Sequence, residues 1–255
     1  MSLAGAHAWL ATVLLLAVRI GVAIGLAPAW SSYGVPAAVR AVLVLALAVL
    51  AGSALPASTT PPVALAAPAR LFEAVAAEVG VGALLGLGLR VALAAFALAG
   101  RLLDVQVGFA IGSLFDPVAQ ASANVLGALT GLLGVLLFFA TDAHLAMARM
   151  VVESGRAFPP GRWPGLGDPA RPLFAAGALF SLGLALAAPV TLALLATDLA
   201  LGAVARNLPQ LNLLMLGMPV RAAVGLLVLA LSVPGWAPLV GRLFALSADV
   251  LGAPR

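Results

Sequence analysis

The chain has 255 residues, of which 64% are hydrophobic and 9% charged, and its mean hydropathy is +1.17. A soluble domain carries roughly 25% charged residues and could not hide this much apolar surface. Water-soluble globular folds and disorder are therefore excluded, which leaves a polytopic membrane protein, read below as all-α from its apolar runs. The net charge of +4 does not point to nucleic acid, because all 13 basic residues are Arg and they are scattered singly. The absence of cysteine removes disulfides, Cys-ligated zinc and iron–sulfur clusters. His7 and His144 lie far apart and make no metal motif. No cofactor is expected.

A spanning helix needs about 20 mostly apolar residues. The candidate runs, in chain order, are 8–27, 37–55, 79–100, 125–148, 173–200 and 213–233. They are continuous and do not alternate, which favours helices over barrel strands. The first run continues to Leu26 without a basic leader or a cleavage site, and so reads as a membrane helix and not a signal peptide. Pro28 and Pro36 bracket the first connection. Pro56, Pro61, Pro62 and Pro68 fill the second, and Asp116-Pro117 interrupts the third. Pro159-Pro160-Gly161 and Trp163-Pro164-Gly165 dominate the fourth, Pro209 breaks the fifth, and Pro234-Gly235 ends the last run. With both ends inside, the inner loops hold Arg70, Arg149, Arg156, Arg162 and Arg171, and the tail holds Arg242 and Arg255. The outer side holds Arg40, Arg101 and Arg206, so the bias places the C-terminus in the cytoplasm.

Small residues four apart allow close helix approach, and Gly21/Gly25, Gly82/Gly86, Gly108/Gly112 and Gly127/Gly131 are candidates. Pro189 should kink its span or free a carbonyl. Arg19, Arg90, Asp142 and Asp198 are charges at or near membrane depth. With His144 they could form a proton relay, or they could snorkel and pair at span ends. A transporter should show two related halves with broken helices, and no matching halves are visible. HExxH, GxSxG and Walker motifs are missing, and Ser113, Ser122 and Ser154 have no local base. No catalytic residue is expected.

The stretch 107–124, VGFAIGSLFDPVAQASAN, is apolar yet too interrupted to be a span. It is either an amphipathic outer loop or a re-entrant segment lining or closing a pore. The stretch 201–219 groups Arg206, Asn207, Gln210 and Asn212 around Pro209. It reads as a turn that binds another subunit or as a plain solvent-exposed turn.

Three stretches together resemble one family: GFAIGSLFDP (108–117), LLFFATDAHLAMARMVVESGRAFPPG (136–161) and PVTLALLATDLALGAVARNLPQLNLLMLGMPVR (189–221). The set is similar to the FliR family of flagellar biosynthetic proteins, and to its injectisome counterpart. The resemblance implies a core subunit of a type III protein export gate and no enzyme activity. It implies assembly with FliP and FliQ into a hetero-oligomeric helical channel in the bacterial inner membrane, at the flagellar basal body. FlhB and FlhA homologues would be further partners, and unfolded flagellar proteins the substrates. It also implies broken helices that need not cross the bilayer simply. By resemblance, Gly108, Phe109, Ile111, Gly112, Leu114, Phe115, Asp116 and Pro117 would plug the pore. Arg206, Pro209, Gln210, Asn212, Gly217 and Pro219 would form a subunit-contact turn.

Overall fold

The computed structural model describes residues 3–31, 35–55, 68–109, 124–163, 170–207 and 213–242. The described residues are almost wholly helical. In chain order the helices are α1 (Leu3–Leu26), α2 (Pro28–Ser31), α3 (Ala37–Ala54), α4 (Pro68–Val107), α5 (Val125–Ala140), α6 (Ala143–Ala157), α7 (Ala170–Asn207) and α8 (Leu213–Ser232). A 3-10 turn at Val233–Trp236 and a short helical stretch at 237–242 follow. Among the described residues, five helices are long and apolar enough to cross a membrane, or six if the bent α5–α6 pair is one span. The chain is a polytopic all-α membrane protein.

Proline sets several of the helix ends. Leu55 is extended at φ −87° and ψ 141°, as the residue before Pro56 must be. Phe158, before Pro159, is extended for the same reason and ends α6. Pro189 and Pro219 instead lie inside α7 and α8, which continue through them as helix. Packed neighbours in a membrane can re-satisfy the freed backbone groups. The expected single run 125–148 is broken at Thr141 and Asp142, where the pair bends by 70°. Asp142 takes φ 55°, a left-handed conformation that no continuous helix contains.

The chain forms two compact units. The first draws its described residues from 1–92 and 142–176, the second from 93–141 and 177–243, so α4 contributes to both. In the first unit, Val13, Leu16, Ile20, Ala23 and Ile24 of α1 recur at helical spacing and bury one stripe. They meet Ala48 and Ala51 of α3, Val81 and Leu85 of α4, and Val151 of α6. α1 and α3 run antiparallel, with Gly21 facing Val44 and Gly52 facing Val13. α1 and α4 run parallel in close contact. A Cβ on Gly82 would collide with the Arg19 carbonyl, and one on Gly86 with the Ala23 carbonyl. This glycine pair serves the close approach expected of it. Gly21 and Gly25 have room to spare.

In the second unit, Phe96, Ala99, Leu103 and Val107 line one face of α4. Phe96 meets Trp236 edge-on at 5.8 Å between ring centres. α4 and α5 run antiparallel: Phe96 abuts Gly134, Gly100 abuts Thr130, and Asp104 reaches Leu126. α7 and α8 also run antiparallel, with Leu194 facing Gly225, Asp198 bonded to Arg221, and Leu201 facing Gly217.

Candidate functional site

Two polar constructions stand out in this apolar molecule, one in each unit. The first is centred on Arg19, in the middle of α1 and fully buried. Its Nε donates to Glu78 Oε2 at 2.6 Å and its Nη2 to Glu78 Oε1 at 3.1 Å, a two-point pair between two fully buried side chains. Nη1 donates to the Ser154 carbonyl and to Ser154 Oγ, and Nη2 also donates to the Phe158 carbonyl. Glu78 Oε1 accepts in addition from the Gly161 amide at 2.7 Å. Desolvating two charges costs several kcal/mol per ion, so such a pair persists only when further hydrogen bonds satisfy it. Here those bonds come from the C-terminal turn of α6 and the chain beyond it. Gly161, at φ 79°, turns its amide toward Glu78. Trp163 lies over Gly80, where a Cβ would strike its ring. The pair therefore fastens the segment 154–163 to α1 and α4.

The second construction is the mouth of the α4–α5 hairpin. Asp104 lies in the last turn of α4 and is 2% exposed. Its two carboxylate oxygens accept from the backbone amides of Leu126 and Gly127, at 2.8 and 2.9 Å. These amides belong to the first turn of α5, where helix N–H groups lack intrahelical partners. Asn124, at the N-cap position, makes no side-chain cap. The cap of α5 is thus supplied from another helix. A carboxylate is disfavoured at the C-terminal end of its own helix and favoured at the N-terminal end of the next. Below this contact a Cβ on Gly100 would collide with the Leu126 carbonyl and with Thr130 Oγ1, so the helices touch backbone to backbone. At the other side of the mouth, Gly108 leaves α4 with φ 97°, and its amide returns to the Asp104 carbonyl. The connection between Val107 and Val125 therefore starts and ends on one clamped stem.

Residues 10–247 match the family model described as bacterial export proteins, family 1. The chain belongs to this family. It is 32% identical over 235 residues to the flagellar biosynthetic protein FliR of Pectobacterium carotovorum, covering 92% of this chain and 88% of that protein. It is 31% identical over 239 residues to FliR of Escherichia coli K12, covering 92% and 90%. The secretion system apparatus protein SsaT of Salmonella typhimurium is 28% identical over 162 residues, 63% of this chain and 62% of that one.

In this export-family chain the sequence-derived positions fall as follows. Gly108 and Phe109 sit where α4 ends. Ile111, Gly112, Leu114, Phe115, Asp116 and Pro117 lie outside the described residues. Arg206 is exposed in the last turn of α7, while Pro209, Gln210 and Asn212 lie outside the described residues. Gly217 and Pro219 are not in a turn but inside α8, which begins at Leu213. Two of the relay candidates are held in ion pairs. Arg19 is engaged by Glu78, and Asp198 is bonded to Arg221 at 2.6 Å. Arg90 is exposed on α4, and Asp142 is exposed at the α5–α6 break. Among the described residues no group of three or more His, Asp or Glu could hold a metal.

Glu78 and Asp104 were not singled out from the sequence. Both flank the run expected at 79–100, and α4 carries both inside its 40 residues. The signal that could have found them is a lone carboxylate at each edge of a long apolar run. At membrane depth such a residue is costly and needs a partner.

Proposed function

We propose that the chain is a subunit of a type III export apparatus in the bacterial inner membrane, and that it serves flagellum assembly. It forms a closed channel with FliP and FliQ homologues, docks FlhB and FlhA homologues, and passes unfolded flagellar proteins. The segment 108–124 closes that channel. The observation that carries this reading is the α4–α5 hairpin, which holds both ends of an apolar, Gly- and Pro-interrupted segment on one stem. Apolar side chains such as Phe109 and Leu114 would exclude water from a pore. Arg206 and Asn207 offer exposed polar groups to adjoining subunits.

The test is native mass spectrometry of the tagged chain co-expressed with FliP and FliQ homologues, joined to deletion of 110–116. A single copy in a large hetero-oligomer, with leak of small ions after the deletion, is expected. A monomer in the presence of expressed partners would refute the gate assignment. A tight membrane after deletion would refute the closing role. Similarity to SsaT favours a second reading, service to an injectisome. Deleting the gene separates the two by loss of motility or by loss of effector secretion.

A further inference from the structure

We propose that the groove between α3 and α6 is a binding site for an anionic phospholipid, whose phosphate is held by Arg149 and Arg156 and whose acyl chain lies along the groove. α6 turns Val151, Ser154 and Gly155 into the first unit and leaves Arg149, Glu153 and Arg156 exposed. These three recur four and three residues apart, and so lie along one stripe of the helix. The stripe borders a groove of about 290 Å³ with an apolar lining from Leu47 and Leu50 of α3 and from Leu145 and Val152 of α6. α3 is long and apolar enough to cross a membrane, so acyl chains can reach the groove from the bilayer. Arg156 approaches the Ala54 carbonyl at 3.5 Å, which sets it level with the C-terminal end of α3, where a spanning helix meets the headgroups. Arg149 stands two turns of α6 away, roughly 10 Å along the axis. Among the described residues the ion pairs are Arg19–Glu78 and Arg221–Asp198, and neither Arg149 nor Arg156 belongs to one. A guanidinium beside lipid is costly without an anion and draws headgroups toward itself. Two arginines against Glu153 leave one net positive charge, which matches a headgroup of one net negative charge. Free phosphate would use the arginines alone, whereas a phospholipid also covers the apolar lining. Basic pockets between membrane helices take anionic headgroups in this way.

The experiment is native mass spectrometry of the full chain in mild detergent, titrated with phosphatidylglycerol or with phosphatidylcholine of the same acyl chains. The parent should bind the anionic lipid about fivefold more tightly, the scale of one basic side chain at a membrane surface. Arg149→Gln and Arg156→Gln should each erase that preference. Arg90→Gln, at an exposed arginine outside the groove, should keep it. Glu153→Gln should raise it about fivefold further, a gain that a damaged fold would not give. Val152→Trp should weaken both lipids alike by filling the apolar lining. No preference in the parent, a preference that survives either arginine variant, or full binding by Val152→Trp would overturn the proposal. So would an unchanged preference in Glu153→Gln, which decides the matter if the arginine variants fold poorly. Tighter binding of phosphatidylethanolamine than of phosphatidylglycerol would set its ammonium on Glu153 and overturn the anionic class. A benzophenone side chain at position 50, photolysed in native membranes, separates a lipid occupant from a protein one. Lipid adducts alone would support the proposal, and a crosslink to a neighbouring chain would overturn it.

Discussion

Replacing Glu78 with Ala removes three hydrogen bonds, from Arg19 Nε at 2.6 Å, from Arg19 Nη2 at 3.1 Å and from the Gly161 amide at 2.7 Å. Arg19 stays fully buried, with Ser154 and the Phe158 carbonyl as its remaining partners and no acceptor for Nε. A charge-assisted hydrogen bond contributes roughly 1.5–3 kcal/mol net, and breaking one side of a buried pair costs about 3–5 kcal/mol. The second figure governs, because local movement would let Arg19 recover part of the loss. Glu78→Gln should fall within about 1 kcal/mol of Glu78→Ala, since its amide donor would face the Arg19 donor. The double variant Arg19→Leu with Glu78→Leu should be more stable than either single change, because no unpaired charge is left buried. SDS-titration unfolding in mild detergent measures all of these. Tryptic cleavage after Arg162 gives a local reading, because Gly161 loses its anchor on Glu78. An unchanged transition and an unchanged cleavage rate for Glu78→Ala would refute the reasoning.

Other perturbations separate the remaining contacts. Gly100→Ala drives a methyl into the Leu126 carbonyl and the Thr130 hydroxyl, and should cost about 1–3 kcal/mol in the same titration. A parental transition would show that α4 and α5 can part freely. Arg221→Ala breaks a pair whose side chains are 37% and 43% exposed, so stability in detergent should change by under about 1 kcal/mol. A loss of several kcal/mol would mean that the pair is a fixed part of the α7–α8 hairpin. Arg206→Ala should lower co-purification with FliP and FliQ homologues while the unfolding transition of the chain alone stays in place. Normal recovery of the complex would remove Arg206 from the interface.

Glycine pairing shows how far pattern alone can go. Gly82 and Gly86 share a face of α4 with the same spacing as Gly21 and Gly25 of α1. The α4 pair lies against the backbone of α1, while the α1 pair faces a single side chain or open space. Spacing says that two helices could approach at such a face. Which face is used depends on what the rest of each helix buries. In the same way, charge and approximate depth grouped the relay candidates, two Arg and two Asp, without showing what each one meets. Arg19 found its partner 59 residues away on another helix, and no local pattern encodes that distance.

The sequence by itself determined the class of the protein and most of its punctuation. Continuous apolar runs must be helices in a membrane, because every backbone polar group there needs an internal partner. Pro56 and Pro159 end helices through sterics that act on the residue before them. Only the tertiary structure decided how long α4 is and what its charges do. Hydropathy bounds the run at 79–100, short of both Glu78 and Asp104, because it weighs each residue against lipid. In the folded chain one carboxylate meets Arg19 and the other meets the open amides of α5, so the helix continues through both. The cost of burying each charge is offset by partners far away in sequence, and those partners exist only once the helices have packed.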